Sequence, residues 1–309
     1  IVLFGRPYNA FTKNANMGIP AKFASRGYRI IPVDFLPFNG EEIGGNIYWA
    51  MGRIIMKSSK IVKKNDNLFG AYITNFSCGP DSFLTNFFRD EMGDKPSLIL
   101  ELDSHTADAG IDTRVEAFLD VIASYIELKK SGKRGLKQSK KSFTKAETIT
   151  KGGKVFVKTS NGELLPITDS RVKVVIPPMS DLGADTLSAS MRYCGLNAVG
   201  IKEIGEDELK IGRGKTSCKE CLPLTLVVGG LLQYIKNDRK EGEITVYFMP
   251  EASGPCRFGV YNMFINSLIE KEKLENVATL SVTCENSYAG LGNKFTIRAW
   301  QSIIIEDVL

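Results

Sequence analysis

Apolar positions along the chain fall into short continuous runs that alternate with longer stretches of helical spacing. The opening IVLFGRPY (1–8) reads as a buried strand. NMGIPAKFASRG (16–27) reads as a short helix closed by glycine, and YRIIPVDFLPF (28–38) as the next strand with its exit loop. GGNIYWAMGRIIMKSSKIVKK (44–64) places apolar residues at helical intervals. LFGAYITNFSC (68–78) is a strand, and DSFLTNFFRDEM (81–92) is a helix with Asp81 as its cap. SLILELD (97–103) and DTRVEAFLDVIASYIELKK (112–130) continue the pattern as strand and helix.

The rhythm returns after KVFVKTSNGELLPI (154–167), which is expected to form a hairpin turning at Asn161-Gly162. Strands follow at 171–179, 197–201, 243–253 and 278–284, with helices at 183–195, 223–237 and 261–273 and a helical pattern from Phe295 onward. Such alternation predicts an α/β chain with two Rossmann-like parallel-sheet domains facing a cleft. Their expected bounds are 1–130 and 169–309, joined by a basic linker and the hairpin over 131–168. The two halves repeat in architecture, not in sequence. The chain opens directly on a strand without an initiator methionine, so it reads as a piece of a longer protein.

Charge changes this picture little. The chain has 309 residues and a net charge of +5. Residues 129–154 hold ten Lys or Arg against one Glu, a net +9 that leaves −4 for the rest. A basic stripe can bind phosphate or nucleic acid. Here Phe143 is its one aromatic, which argues against nucleic acid and for a solvated linker. No apolar run is long enough for a transmembrane helix, and the opening segment lacks the basic leader of a signal peptide. No membrane association and a cytoplasmic location are expected.

The six cysteines carry more information: Cys78, Cys194, Cys218, Cys221, Cys256 and Cys284. A chain of this length folds without disulfides, so its thiols are expected to be reduced. Cys78 ends a strand and precedes the helix start GPDSF. Cys221 precedes LPLTLVV, and Cys256 follows the strand EITVYFMPEASGPC and precedes a helix. In open α/β sheets, ligands bind in the crevice at the strand carboxyl ends. Helix N-termini there favour anions, thiolates and thiolate-ligated clusters included. Spacing alone leaves a metal cluster, a redox dithiol and ordinary core cysteines open. One C-x-x-C, Cys218 to Cys221, falls short of a four-cysteine zinc pattern, and the single histidine excludes paired-histidine zinc chemistry. Cys194 sits on the apolar face of a helix and reads as core.

Several segments together resemble one family: GRPYN (5–9), FSCGPDSF (76–83), ELDSHTADAGIDTRVEAF (101–118), GKTSCKECLPL (214–224) and GPCRFGVYN (254–262). They are similar to the iron–sulfur subunits of 2-hydroxyacyl-CoA dehydratases, as found fused in large acyl-CoA dehydratase activase-related proteins (the 2-hydroxyglutaryl-CoA dehydratase activator family). The resemblance implies Rossmann-like domains that hold a [4Fe–4S] cluster through three converging cysteines. It also implies an ATP-hydrolysing activator as partner, which delivers single electrons, and radical dehydration of a 2-hydroxyacyl-CoA substrate. Carried over by position, the metal ligands are Cys78, the pair Cys218 and Cys221, and Cys256. The doubled pair departs from the family pattern and raises a larger double-cubane cluster as the alternative. A solvent-facing cluster of this kind is open to loss on aerobic preparation.

No G-x-x-x-x-G-K-[ST] loop is present; GRGKTSC (212–218) matches only the ending, so ATP hydrolysis is expected elsewhere. Around the cysteines, Glu101 and His105 in ELDSHTADAG are candidate catalytic residues, His105 as a proton carrier, with a hydrogen-bonded loop as the plainer reading. Arg6 and Tyr8 are candidate contacts for an anionic ligand such as a CoA phosphate. Glu251 and Arg257 flank Cys256 and are placed to tune a cluster by charge and hydrogen bonding. The competing readings are a cluster-free structural or docking module of the fused activase, and a zinc-stabilised binding domain.

Overall fold

The structure is a computed structural model that describes residues 1–76, 79–132, 143–202, 204–283 and 289–308. The chain divides into two compact units, Ile1–Ser139 and Lys140–Leu309. The first runs β1 (Val2–Phe4), α1 (Pro7–Ala10), α2 (Ile19–Ser25), β2 (Ile31–Pro32), α3 (Ala50–Lys64), β3 (Gly70–Thr74), α4 (Asp81–Met92), β4 (Ser97–Glu101) and α5 (Asp108–Lys130). Its sheet is parallel throughout, in the order β2-β1-β3-β4. Strand alternation sends Leu3, Ala71, Ile73 and Leu100 to one face, where Phe23 of α2 and Val115 and Phe118 of α5 cover them. On the other face, Phe4 and Tyr72 pack on Phe88 of α4, with ring centroids 4.9 and 5.4 Å away. Helices therefore lie on both sides of the sheet, as parallel strands require.

Two boundaries and one helix cap differ from expectation. Within 28–38, expected as a strand with its exit loop, β2 is only two residues long, because Pro32 brings no N–H to the ladder and Val33–Phe35 turns into a 3-10 helix. α3 starts at Ala50 rather than at 44, and Gly45 stands outside it at a φ of 77°. α4 occupies 81–92 as expected, yet Asp81 is its first residue and not its cap: Pro80 holds the cap position, without a side-chain cap bond.

The second unit opens with an antiparallel sheet, β5 (Glu147–Lys151), β6 (Lys154–Lys158) and β7 (Leu164–Pro166). The β6–β7 hairpin turns through 159–163, where Gly162 takes a φ of 87° and donates to the Thr159 carbonyl at 2.9 Å. β5 lies inside the stretch expected as linker. Its neighbours explain it: Ala146, Val155, Val157 and Leu165 are buried in one core with Val172, Val174 and Phe295.

The parallel part follows as β8 (Val172–Ile176), α6 (Asp181–Tyr193), β9 (Ala198–Gly200), α7 (Glu206–Arg213), α8 (Leu222–Asn237), β10 (Ile244–Phe248), α9 (Tyr261–Glu272), β11 (Val277–Leu280) and α10 (Gly292–Val308). The order is β11-β10-β8-β9. Counted from its own first strand, each sheet thus runs second, first, third, fourth. In both, the order reverses between first and third strands, where an α/β sheet opens its ligand crevice.

α7 has no counterpart among the expected elements. Its segment, EDELKIGR, is mostly polar, and its place is secured by close packing on α8. A Cβ at Gly229 would lie 1.9 Å from the Glu208 carbonyl oxygen, and one at Gly212 would lie 2.0 Å from that of Thr225. Only glycine permits these approaches.

Candidate functional site

Two helix starts in the second unit carry thiols, and one of these thiols meets a buried phenol. Cys221 holds the N-cap position of α8, whose first turn contains Pro223. Cys256 precedes a 3-10 turn, Arg257–Val260, which runs directly into α9. Tyr261, the first residue of α9, is buried, and its Oη lies 2.6 Å from Cys221 Sγ. Burial above all, and then the bond to Cys221, pushes the Tyr261 phenol far above its ordinary range; Cys256 adds to this and Arg257 opposes it. The phenol therefore keeps its proton, and either the phenol or the Cys221 thiol can be the donor in their bond.

The α7–α8 loop presents the other half of the C-x-x-C. Cys218 is exposed, sits at a φ of 60°, and places its sulfur 3.8 Å from the Arg213 carbonyl oxygen. The turn beneath it is built on a buried carboxylate. Glu220 Oε2 accepts from Ser217 N at 3.0 Å, Ser217 Oγ at 2.9 Å and Lys219 N at 3.3 Å. Such convergent donors satisfy the buried charge and fix the loop. Lys215 then pairs with Glu272 of α9 at 2.6 Å. The segment GRGKTSC begins in the last two residues of helix α7 rather than after a strand, so it lacks the setting of a phosphate-binding loop.

Glu251 and Arg257 have defined places. Glu251 bridges in parallel to Thr283, and its Oε1 accepts from Asn262 Nδ2 at 2.5 Å, beside Tyr261. Asn262 Oδ1 in turn accepts from Asn266, which also donates to Thr279 Oγ1 at 2.9 Å. Glu251 thus anchors the start of α9. Arg257 opens the 3-10 turn and acts electrostatically on Tyr261.

In the first unit, the loops after β1 and β3 are joined across the sheet's reversal point. Gly5, at a φ of 143°, lets β1 leave past β3: a Cβ there would stand 2.5 Å from the Ile73 carbonyl oxygen. Arg6 Nη2 then reaches Asp81 Oδ2 at 3.1 Å. Asp81 is fully buried and also accepts from Tyr72 Oη at 3.0 Å and Thr74 Oγ1 at 2.6 Å. Its carboxylate faces inward because these three donors outcompete the helix N–H groups. The Arg6 guanidinium lies over the ring of Tyr8, 5.0 Å from its centre, and Tyr8 is exposed. Arg6 is engaged by Asp81, so its charge is already balanced. Cys78 lies outside the described residues, between Phe76 and Gly79, both at positive φ (52° and 62°).

His105 is 90% exposed, and its Nδ1 lies 3.5 Å from Asp103 Oδ2. Asp103 is thus an acidic neighbour of His105. The Thr106 hydroxyl, followed by the His105 backbone N–H, holds the Asp103 carboxyl below the usual range. Asp103 N donates back to Thr106 Oγ1 at 2.8 Å, so the segment is a hydrogen-bonded turn leading into α5. Glu101 ends β4.

Cys194 follows α6 and packs against the core, while Cys284 lies outside the described residues. Among the described residues, no three His, Cys, Asp or Glu side chains converge to hold a metal ion. The donor chemistry of the second unit still suits a thiophilic centre: Cys218, Cys221 and Cys256 are thiols not joined in disulfides, near helix starts. Sequence reasoning missed Tyr261 and Glu220 as parts of this site. Tyr261 stood in the quoted GPCRFGVYN segment, but nothing local marks its bond to a cysteine forty residues away.

Residues 1–36 match the profile of a family described as CoA enzyme activase uncharacterised domain (DUF2229). The match covers β1 to β2 and includes Arg6 and Tyr8. It supports a relationship to activases of CoA enzymes. No curated protein and no solved structure matches the chain. Among the described residues, no helix is long and apolar enough to cross a membrane.

Proposed function

We propose that the chain is a thiol-ligated redox module of a CoA enzyme activation system, related to the 2-hydroxyacyl-CoA dehydratases. The observation that carries this reading is the placement of two thiols, Cys221 and Cys256, at helix starts, with Cys221 bonded to the buried phenol of Tyr261. The activase-family match over residues 1–36 supports the setting. Cys218, Cys221 and Cys256 would hold a [4Fe–4S] or larger cluster, and such a cluster supplies one-electron chemistry at low potential. The chain's own contribution is positional. Pro223 and the 3-10 turn shape the backbone around the thiols, Tyr261 hydrogen-bonds Cys221, and Glu251 holds the start of α9. Cys78, the thiol after β3 of the first unit, is a further candidate ligand. An ATP-hydrolysing activator would deliver the electron, and an acyl-CoA would be the substrate of the assembled system.

A second reading has its own support. The thiol of Cys221 already has a partner in Tyr261. A cluster-free docking module of an activase would look the same. Anaerobic purification or reconstitution, followed by iron and acid-labile sulfide analysis, separates the two. About four irons per chain, lost in Cys221→Ser and Cys256→Ser, is the expected result. Absence of iron after anaerobic reconstitution, or zinc in its place, overturns the redox module. Cys78→Ser, measured in the same way, decides whether that thiol belongs to the ligand set.

A further inference from the structure

We propose that Cys218 and Cys221 form a thiol–disulfide exchange site, in which Cys218 takes up a low-molecular-weight disulfide and Cys221 resolves it. The two sulfurs differ in access. Cys218 is exposed on a turn, whereas Cys221 is half-buried and held by Tyr261. The turn between them is compact, since the Glu220 carboxylate binds Ser217 and Lys219 on the same side. Two residues, Lys219 and Glu220, separate the cysteines, a spacing at which C-x-x-C pairs close readily. Cys218 also occupies a left-handed backbone conformation that L residues rarely adopt, φ 60°, which the Glu220 network sustains.

The exchange balances. Cys218 sulfur, its proton released to solvent, attacks one sulfur of the small disulfide. That S–S bond breaks and one small thiol leaves. Cys221 sulfur then releases its proton and attacks Cys218 sulfur, and the mixed S–S bond breaks as the second small thiol departs. Two protein thiols are oxidised and one small disulfide is reduced to two thiols, which take up the two protons. The disulfide needs no metal. Its consequence rests on the function proposed above: closing this bond withdraws two ligands, so the oxidised chain is barred from holding a cluster.

The test uses the whole chain, freed of metal, in buffers of glutathione and glutathione disulfide, followed by alkylation and tryptic mapping. Trypsin cleaves after Lys219, between the two cysteines. A Cys218–Cys221 disulfide therefore leaves the peptide 216–219 joined to the peptide 220–236. The linked pair is expected in oxidising buffer, lost on reduction, and undiminished in Cys256→Ser. Cys221→Ser is expected to trap one glutathionyl group on Cys218. The proposal is overturned if both cysteines are recovered separately alkylated or separately glutathionylated, or if Cys221 is joined to the peptide of Cys256 instead. Iron analysis of the reduced, reconstituted chain is independent of this result. Iron without the linked peptide sinks the exchange site alone, and the linked peptide without iron sinks the cluster alone.

Discussion

The phenol of Tyr261 lies 2.6 Å from the thiol of Cys221, and the two residues are forty positions apart. This contact joins the start of α9 to the start of α8, so each helix fixes the other's first turn. Tyr261→Phe removes the hydroxyl while keeping the ring and its packing on Phe258, 5.4 Å between centroids. A hydrogen bond of this kind contributes ~1 kcal/mol, which corresponds to about fivefold in an opening equilibrium. Alkylation of Cys221, followed by mass spectrometry, should accelerate by about that factor. An unchanged rate would mean the phenol does not protect the sulfur.

Much of this arrangement was legible before any coordinates. The thiols at helix starts announce themselves locally, by Pro223 after Cys221 and by a strand before Cys256. The parallel architecture follows from the spacing of elements, and α4 begins and ends at the expected residues. What escaped reading is non-local. The polar α7 exists because Gly212 and Gly229 admit close contact with α8, and neither glycine signals that on its own. Asp81 has the local grammar of a cap, yet Tyr72, Thr74 and Arg6, distant in the chain, draw its carboxylate inward.

That buried carboxylate is the subject of a second prediction. Asp81→Ala leaves Arg6 without its counter-charge and two hydroxyls without their acceptor. Breaking a buried pair of this kind costs roughly 3–5 kcal/mol. Thr74→Ala removes one neutral donor and should cost ~1 kcal/mol. Urea unfolding followed by circular dichroism gives both values. Equal losses for the two variants would show that Asp81 carries no charge interaction worth more than one hydrogen bond.

Glycine substitutions on two helices should move stability in opposite directions. Gly229→Ala forces a methyl to within 1.9 Å of the Glu208 carbonyl oxygen, so α7 must shift away from α8. Overpacking of this sort costs roughly 1–3 kcal/mol. Gly110 lies in α5 with open space around it. There alanine should stabilise by up to ~1 kcal/mol, since it loses less backbone freedom on folding. Thermal melts of the two variants check the contrast. A neutral Gly229→Ala would mean that the α7–α8 contact is looser than described.

Alkaline pH should unfold the chain through its tyrosines. Burial pushes the phenol of Tyr247 well above the ordinary range, and the same holds for Tyr72, where Asp81 adds to it. Tyr234 moves in the same direction, by burial and then by its bond to Glu243. In the unfolded chain these groups ionise near pH ~10. Above that pH the unfolded state binds fewer protons than the folded one, so stability falls as pH rises, while below it the phenols contribute no slope. Urea midpoints measured from pH ~8 to ~11 should therefore be flat at first and then decline. Tyr247→Phe, which also loses its 2.9 Å bond to the Val227 carbonyl, should start lower but decline less steeply. Phenolate absorbance offers a separate check on the ten tyrosines of the chain. If all of them ionise together near pH ~10 while the circular dichroism stays native, the buried phenols are not protected and the argument fails.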